Sequence, residues 1–218
     1  MASGTRVHHP IFARVYARLS GAAEAKGAAA HRDDMLAGLE GRVVEIGAGN
    51  GLNFAHYPPA VTEVVAVEPE AHLRKLAIAA ADVADVPVTV VDGTADALPL
   101  DDASCDAAVC SLVLCSVADQ DAALGEVRRV LRPGGELRFY EHVLDDNPRF
   151  AQFQRAVDVV HPYVSGGCHL TRHTEAAIAR AGFEITRIRR FRFAPEPLAK
   201  QAAPKILGAA RLISESPA

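Results

Sequence analysis

The sequence predicts an α/β fold with a doubly wound parallel sheet, and three observations support this. Short apolar runs typical of buried strands alternate with helical patterns along most of the chain. The first apolar run ends in a turn with glycine at three alternate positions, Gly47, Gly49 and Gly51. The length of 218 residues and the apolar content of 50% suit a single domain, residues 1–218, with a sizeable core.

The composition argues against several classes of partner. A net charge of −4 gives no broad attraction to nucleic acid or to an anionic membrane surface. Four arginines alternate along one predicted strand, which favours a solvated strand face: Arg187, Arg189, Arg190 and Arg192. No apolar run reaches ~18 residues, so no membrane span is expected, and the N-terminus lacks the apolar core of a signal peptide.

The cysteines indicate a reducing compartment. Cys105, Cys110, Cys115 and Cys168 show no C-x-x-C spacing, and three of them lie in or beside an apolar run. We expect reduced thiols in a cytoplasmic protein, with Cys110 and Cys115 packed as small apolar side chains.

Helices and strands follow in a regular order. Residues 10–30 and 31–39 are predicted helices. Five strands are then predicted, at residues 42–46, 63–67, 88–91, 107–111 and 136–143. A helix that starts near Asn53 is stopped early by Pro58 and Pro59. Two later helices are predicted at residues 69–81 and 120–131, the first with Pro69 in its first turn and the second capped by Asp119.

The last third of the chain departs from this order. Residues 145–172 interrupt the alternation of strand and helix, with apolar side chains at helical spacing. An insertion after the fifth strand lies above the carboxyl ends of the sheet, where loops form substrate sites, so we predict a cap over a small-molecule acceptor. A helix at residues 174–181 and strands at residues 183–193 and 206–213 complete the chain.

The spacing of the glycines decides which ligand the first turn suits. A dinucleotide fingerprint, G-x-G-x-x-G, is excluded because Leu52 or Phe54 stands where its last glycine belongs. A P-loop is excluded because it needs a Gly-Lys-Ser/Thr ending, and no lysine lies between Lys26 and Lys75.

Two acids accompany the glycine turn: Glu45, two residues before Gly47, and Glu68, at the end of the next strand. The set resembles class I S-adenosylmethionine (SAM) dependent methyltransferases of the methyltransferase type 11 group. The resemblance implies SAM as cofactor, S-adenosylhomocysteine as product, and Glu68 on both ribose hydroxyls. SAM carries a sulfonium and an ammonium but no phosphate, and a carboxylate accepts two diol hydrogen bonds at once.

Two further segments extend this resemblance. Residues 92–100 resemble the signature Gly-Asp-Ala-x-x-Leu-Pro, but Thr94 stands where the family's adenine-binding aspartate is usual. Residues 108–117 resemble the fourth signature, whose end borders the methionine part of SAM and the acceptor. The cofactor-binding residues that the resemblance implies are Glu45, Gly47, Ala48, Gly49, Gly51, Asn53, Glu68, Pro69, Gly93, Thr94, Ala95, Ser111 and Leu112.

The resemblance also completes the expected fold. It implies a mostly parallel, seven-stranded, Rossmann-like sheet whose last two strands pair antiparallel, with a helical cap at residues 145–172. N-terminal helices often cover the cofactor in this family. Residues 1–40 therefore either form such a lid or pack on the edge of the core.

A narrower resemblance comes from four short segments. Residues 112–117, 130–135, 141–143 and 168–172 succeed one another as in vertebrate membrane-associated thiol S-methyltransferases and their soluble bacterial relatives. This likeness covers residues 42–210. The vertebrate proteins begin with a hydrophobic membrane segment that this chain lacks, so membrane association is not carried over.

One histidine is the candidate catalytic residue. In methyl transfer the enzyme excludes water, orients the acceptor and keeps it deprotonated. His142, at the carboxyl end of the fifth strand, is placed to accept a proton or to hydrogen-bond a thiolate, although a structural hydrogen bond would explain it equally well. Cys115, His161 and His169 are candidate substrate contacts, and Asp119 is a weaker catalytic candidate.

No metal is expected from the local pattern. Cys168, His169, His173 and the upstream His161 contain ligand types, but their spacing matches no standard zinc pattern. A cysteine-based arsenite methyltransferase is disfavoured, because the three cysteines between positions 105 and 115 lie in an apolar strand motif.

Three functions remain open at this point. The first is S-methylation of a small thiol, which needs little activation because a thiol pKa of roughly 8.5 leaves some thiolate at neutral pH. The second is O- or N-methylation of a small metabolite or a lipid head group. The third is a protein that binds SAM without catalysis.

Overall fold

The computed structural model describes residues 10–195 and 197–213, and they form one seven-stranded sheet with helices on both faces. The strands are β1 (Gly41–Ile46), β2 (Val61–Val67), β3 (Val88–Val91), β4 (Cys105–Ser111), β5 (Leu131–His142), β6 (Phe183–Arg192) and β7 (Pro204–Leu212). Their order is β3-β2-β1-β4-β5-β7-β6, and only the pairs that involve β7 are antiparallel. The predicted fold class is confirmed.

Seven α-helices accompany the strands in the described part of the chain. They are α1 (Pro10–Ala23), α2 (Ala29–Leu36), α3 (Ala71–Ala81), α4 (Gln120–Val130), α5 (Pro148–Asp158), α6 (His161–Val164) and α7 (Thr174–Arg180). The predicted break near residue 30 lies earlier in the structure. A π-helical turn at Glu24–Ala28 separates α1 from α2, and Gly27 has a φ of 111° there, which favours glycine over other residues.

Three of the predicted boundaries that differ from the structure do so for an identifiable local reason. The helix expected from Asn53 is a single 3-10 turn, Phe54–His56, because two prolines follow it. Helix α3 begins at Ala71, not at Pro69, because the Glu70 carboxylate caps it by accepting the Leu73 N–H at 2.9 Å. Strand β5 begins five residues before the predicted position.

The early start of β5 is explained by a bulge. Cys105 pairs with Leu131 and Ala107 pairs with Glu136, so residues 132–135 loop out of the ladder. Gly134 has a φ of 77° within this loop. The Pro-Gly-Gly turn that the sequence indicates therefore lies inside the strand.

The core forms two layers, one on each face of the sheet. Along β5, Leu137 and Phe139 pack on one side, with residues of α4 and α7. Tyr140 packs on the opposite side, with Met35 and Leu36 of α2. Alternate residues of a central strand thus face different helices, as expected for a sheet covered on both faces.

Two contacts fix α2 on the sheet. The Arg138 guanidinium of β5 donates to the carbonyl oxygens of Met35 and Ala37, each at 2.9 Å. Arg187 and Arg189 of β6 both pair with Asp34 of α2. The other two arginines of the predicted solvated strand face also have carboxylate partners, since Arg190 pairs with Asp146 and Glu175, and Arg192 pairs with Asp145.

Helices α5 and α6 stand between β5 and α7, within the predicted cap. Gln154 of α5 is fully buried and ties this segment to the ends of the strands. Its amide nitrogen contacts the carbonyl oxygens of Val143, Leu170 and Gln201 at 3.2, 3.4 and 3.1 Å, and its Oε1 accepts the Asp145 N–H at 2.7 Å. Among the described residues, no helix is both long and apolar enough to cross a bilayer.

We predict that Gln154→Ala lowers the free energy of unfolding by about 2–3 kcal/mol, because it leaves several buried backbone groups without partners. The matched control is Gln152→Ala, since Gln152 is exposed on the same helix and its loss should cost less than about 0.5 kcal/mol. Urea unfolding of both variants tests this. Equal losses would show that Gln154 does not anchor the segment.

Candidate active site

The site lies at the carboxyl ends of β1 and β4, where the strand order reverses. Strands β2 and β3 continue the sheet on one side, and β5 continues it on the other. Ligands bind at such a point in doubly wound sheets because the two loops diverge and leave a crevice. The loops here are residues 47–51, after β1, and residues 112–116, after β4.

The loop after β1 is held close to its neighbours. Gly47 and Ala48 both donate their N–H groups to the Val67 carbonyl, at 2.8 and 3.2 Å. A Cβ atom at Gly47 would collide with Val113, and one at Gly51 would lie 2.8 Å from both Ala80 and Phe54. Because all three alternate glycines also have positive φ values, this path of the backbone requires glycine.

Glu68 lies directly beside this loop. Its Oε2 accepts the Gly49 N–H and its Oε1 accepts the Glu70 N–H, both at 2.8 Å. Burial raises its pKa, and these two hydrogen bonds oppose the rise. A carboxylate has about four acceptor positions, so two remain for the ribose diol of the expected cofactor. The neighbouring Pro69 is half-buried in the connection to α3.

Glu45 is deeper, and each of its two carboxylate oxygens has a partner within the protein. Its carboxylate accepts the Asn53 amide at 2.8 Å and the Tyr57 hydroxyl at 2.7 Å. Asn53 in turn accepts from Arg32 of α2 at 2.6 Å. Burial raises the pKa of Glu45 to about 7. Through these hydrogen bonds, Glu45 and Asn53 connect α2 to the segment that carries the glycine loop.

The loop after β3 brings the predicted adenine contacts to the same edge of the sheet. Thr94 forms an isolated antiparallel bridge with Ala97, and both Thr94 and Ala95 are partly exposed. A Cβ at Gly93 would lie 2.9 Å from Pro99 and 2.9 Å from Val67. Glycine therefore lets this loop pass close to the end of β2.

The turn after β4 depends on one carboxylate. Glu141 is fully buried and accepts three backbone N–H groups, from Val113 and Leu114 at 2.9 Å and from Cys115 at 3.0 Å. Burial raises the pKa of Glu141 well above its usual range, and these hydrogen bonds oppose the rise. Leu112 adopts a φ of 60°, which is rare outside glycine and turns the chain sharply at this point.

Ser111 supplies a test of whether a ligand fits here. Its buried Oγ has no hydrogen-bond partner among the residues that the structure describes. A buried hydroxyl without a partner is unfavourable, so a polar ligand group at this position would satisfy it. Together with the free acceptor positions of Glu68, this favours a polar cofactor between the two loops.

A sulfur and imidazole cluster lies beyond this turn. His142 Nδ1 is 3.3 Å from Cys168 Sγ and 3.6 Å from Cys115 Sγ, and the two sulfurs are 3.6 Å apart. Burial lowers the pKa of His142, so its imidazole is neutral at pH 7. The contact with Cys168, together with burial, raises the pKa of Cys115.

The other two predicted substrate contacts are placed differently. His161 is half-buried, near Ser165, and burial lowers its pKa. His169 pairs with Asp158 at 3.1 Å within the cap, and that carboxylate also accepts the Leu170 N–H and the Thr171 hydroxyl. The structure therefore brings Cys115 to His142 but engages the side chain of His169 elsewhere.

Several site residues were not found from the sequence. Cys168 reaches the cluster because the His169 N–H donates to the Cys115 carbonyl at 2.8 Å, which docks the cap on the turn. Tyr16 of α1 covers the glycine loop, since a Cβ at Gly49 would lie 3.4 Å from its ring. The motif Cys168-His169-Leu170-Thr171-Arg172 was the available signal for Cys168. Nothing local identified Tyr16.

Comparisons with known proteins agree with this geometry. The sequence profile of the family described as a methyltransferase domain matches residues 44–139. The human protein named thiol S-methyltransferase TMT1B is 37% identical over 182 residues, which is 80% of this chain and 73% of that protein. Human thiol S-methyltransferase TMT1A is 37% identical over 154 residues, covering 68% of this chain and 63% of that protein.

Solved structures agree on the fold. A SAM-dependent methyltransferase from Methanosarcina mazei superposes with a TM-score of 0.64 and 20% identity, over 80% of this chain and 93% of that one. At this identity the likeness concerns the fold alone. From the relatives, the family profile and the site between β1 and β4, we conclude that this chain belongs to the SAM-dependent methyltransferases, in the family that includes the thiol S-methyltransferases.

Proposed function

We propose that this methyltransferase acts on the sulfur of a small-molecule thiol and releases a thioether. The observation that carries the proposal is the 37% identity, over 80% of the chain, to a protein named thiol S-methyltransferase. The sulfur and imidazole cluster beside the candidate cofactor site supports it, because soft, polarizable side chains suit a sulfur acceptor.

In this proposal the residues of three loops hold the cofactor. The glycine loop lies under its amino acid part, Glu68 accepts from the ribose, and Thr94 and Ala95 border the adenine. Ser111 and Leu112 border the methionine part, and Glu45 and Asn53 hold the glycine loop in place. When bound, SAM supplies a methyl group whose bond to the sulfonium breaks as the acceptor sulfur donates its lone pair, with the bonding electrons leaving on S-adenosylhomocysteine.

The chain's own residues orient the acceptor and favour its thiolate form. The Cys115 backbone is fixed by Glu141 on one side and by the cap on the other. His142 is the proposed catalytic residue, because the unprotonated ring nitrogen of a neutral imidazole can accept the thiol proton and leave the S–H bonding electrons on the sulfur. Exclusion of water falls to the segments above the sheet.

Those segments are the proposed lid, within residues 1–40, and the proposed acceptor cap, residues 145–172. Tyr16 of α1 packs over Gly49, and Phe12 packs against Gly166 of the cap. A Cβ at Gly167 would lie 2.8 Å from the Ser116 carbonyl oxygen, so the cap meets the turn after β4 at close range. Lid and cap therefore contact each other above the two loops.

The test of function is the formation of S-adenosylhomocysteine by the purified protein with a panel of small thiols, phenols, amines and phosphatidylethanolamine. We expect turnover with thiols only. Turnover with an oxygen or nitrogen acceptor instead would support methyltransferase activity and reject a thiol as the acceptor. No turnover with any thiol in the panel, while SAM still binds, would count against the proposal.

We predict that Glu68→Ala raises the dissociation constant of SAM about tenfold or more, since hydrogen bonds to a charged group contribute about 1.5–3 kcal/mol. Isothermal titration calorimetry measures this. The control is Glu63→Ala, which removes an acid at the opposite end of β2 that pairs with Arg42. A Glu68→Ala affinity within the range of the control would reject the proposed cofactor position.

We also predict that Glu141→Gln lowers kcat/KM with a thiol about tenfold and the free energy of unfolding by about 1–3 kcal/mol. The amide oxygen can still accept from Val113 and Leu114, but the amide NH₂ then faces the Cys115 N–H, and two donors repel. Glu136→Gln, five residues earlier on the same strand, is the matched control, since that carboxylate pairs with Arg138. Equal behaviour of the two variants would remove Glu141 as a positioning residue.

A further inference from the structure

Three potential metal ligands converge from three separate elements. Cys115 comes from the turn after β4, His142 from the end of β5 and Cys168 from the cap. Their ligand atoms all lie within 4.8 Å of one another. Both cysteines are buried, whereas His142 keeps partial exposure. Cys115 and Cys168 are separated by 53 residues, which is why no local spacing in the sequence indicated a site.

The separations match those of a tetrahedral zinc site. With Zn–S of about 2.3 Å and Zn–N of about 2.0–2.1 Å, tetrahedral angles place two sulfurs about 3.8 Å apart and a sulfur about 3.5 Å from a nitrogen. The observed values are 3.6 Å between the sulfurs and 3.3 and 3.6 Å from sulfur to nitrogen. A disulfide would need sulfurs about 2.05 Å apart.

The backbone around the ligands is held independently of them. The Cys115 N–H donates to Glu141 at 3.0 Å, and the Cys115 carbonyl accepts from His169. The Cys168 N–H donates to the Ser165 carbonyl at 3.1 Å. A preorganised shell of this kind orients ligands and is typical of functional metal sites.

A buried cation adjoins the cluster. Lys205 of β7 pairs with His142 in the antiparallel register, so the two side chains share a face of the sheet. Its ammonium donates to the carbonyls of Phe193 and Ala202 at 2.7 and 2.8 Å. Two cysteine thiolates neutralise a divalent ion, and a third thiolate would add one negative charge that the ammonium offsets.

We propose that Cys115, His142 and Cys168 bind one Zn²⁺ and leave its fourth position for the sulfur of the acceptor. The three protein ligands stand on the geometry alone, and the identity of the fourth ligand rests on the proposed function. Two cysteines and a histidine with one open position form a donor set known in catalytic zinc sites. A structural zinc site would have four protein ligands.

Zinc changes how the thiolate is obtained. When the acceptor sulfur binds, its S–H bond breaks, the electron pair goes to the zinc ion and the proton passes to water, because a thiol that coordinates zinc is deprotonated. The electron pair of His142 Nδ1 then binds the metal and not a proton. His142 thus favours the thiolate form by acting as a ligand of the metal, and no separate base is required.

The first test is metal content. The full chain is purified with a phosphine reductant and without chelator, then incubated with Zn²⁺ and desalted, and its zinc is measured by inductively coupled plasma mass spectrometry. We expect one zinc ion per chain. Cys115→Ala and Cys168→Ala should each lower the content at least about tenfold. Cys105→Ala, which removes a buried cysteine from the opposite end of β4, should retain it.

The second test is spectroscopic and does not depend on turnover. Co²⁺ in place of Zn²⁺ should give a thiolate-to-cobalt charge-transfer band and the intense visible bands of tetrahedral cobalt. Cys168→Ala should lose the charge-transfer intensity, and thermal unfolding confirms that the variant is folded. Addition of a small thiol should shift the visible bands, whereas addition of an alcohol of the same size should not.

The outcomes separate the two proposals. Absence of zinc after reconstitution, or zinc retained in both ligand variants, overturns the metal site. In either case the spacing of the cluster reflects thiol hydrogen bonds. If zinc binds but the visible bands of the cobalt-substituted protein do not shift when a thiol is added, the proposal that the acceptor takes the fourth position is overturned. Zinc that binds the full chain and is lost in both cysteine variants, in a chain that methylates no thiol, supports the metal site and rejects the thiol acceptor.

Discussion

The buried carboxylate of Glu141 holds the turn after β4, and the two halves of the site are arranged around that turn. Three backbone N–H groups point at one side chain, which fixes Val113 against the glycine loop and Cys115 against His142. A loop normally has freedom that must be lost when a ligand binds. Here the conformational freedom of the turn is lost during folding, so the turn is ordered before a substrate binds.

Buried acids give the site its electrical character. Glu45, Glu68 and Glu141 stand at the carboxyl ends of β1, β2 and β5, with β4 between β1 and β5, and burial raises the pKa of each. A raised pKa means that burial favours the protonated form, so a sulfonium and an ammonium bound here would favour ionisation of these carboxyl groups, whereas a phosphate would oppose it. Ionisation of these acids and binding of a cationic ligand at this edge of the sheet therefore favour each other.

Much of this could be predicted from the sequence, because the signals are local. The two acids and the glycine turn between them lie within 24 residues, from Glu45 to Glu68, and the spacing of the glycines excludes the main alternatives. Cys168 was not assigned because its partners are distant in the chain and meet it only when the cap docks. The start of α3 and the break at Gly27 depended on a capping side chain and on one dihedral angle, which periodicity does not report.

The contact of Arg138 with the end of α2 has a consequence for synthesis on the ribosome. Its guanidinium donates to the Met35 carbonyl, which lies 103 residues earlier in the sequence. Arg187 likewise lies 153 residues after its partner Asp34. The apolar face of α2 therefore emerges long before the strands that cover it have been made. Contacts of such long range slow folding, so the apolar face of α2 stays exposed to chaperones until β5 and β6 have been made.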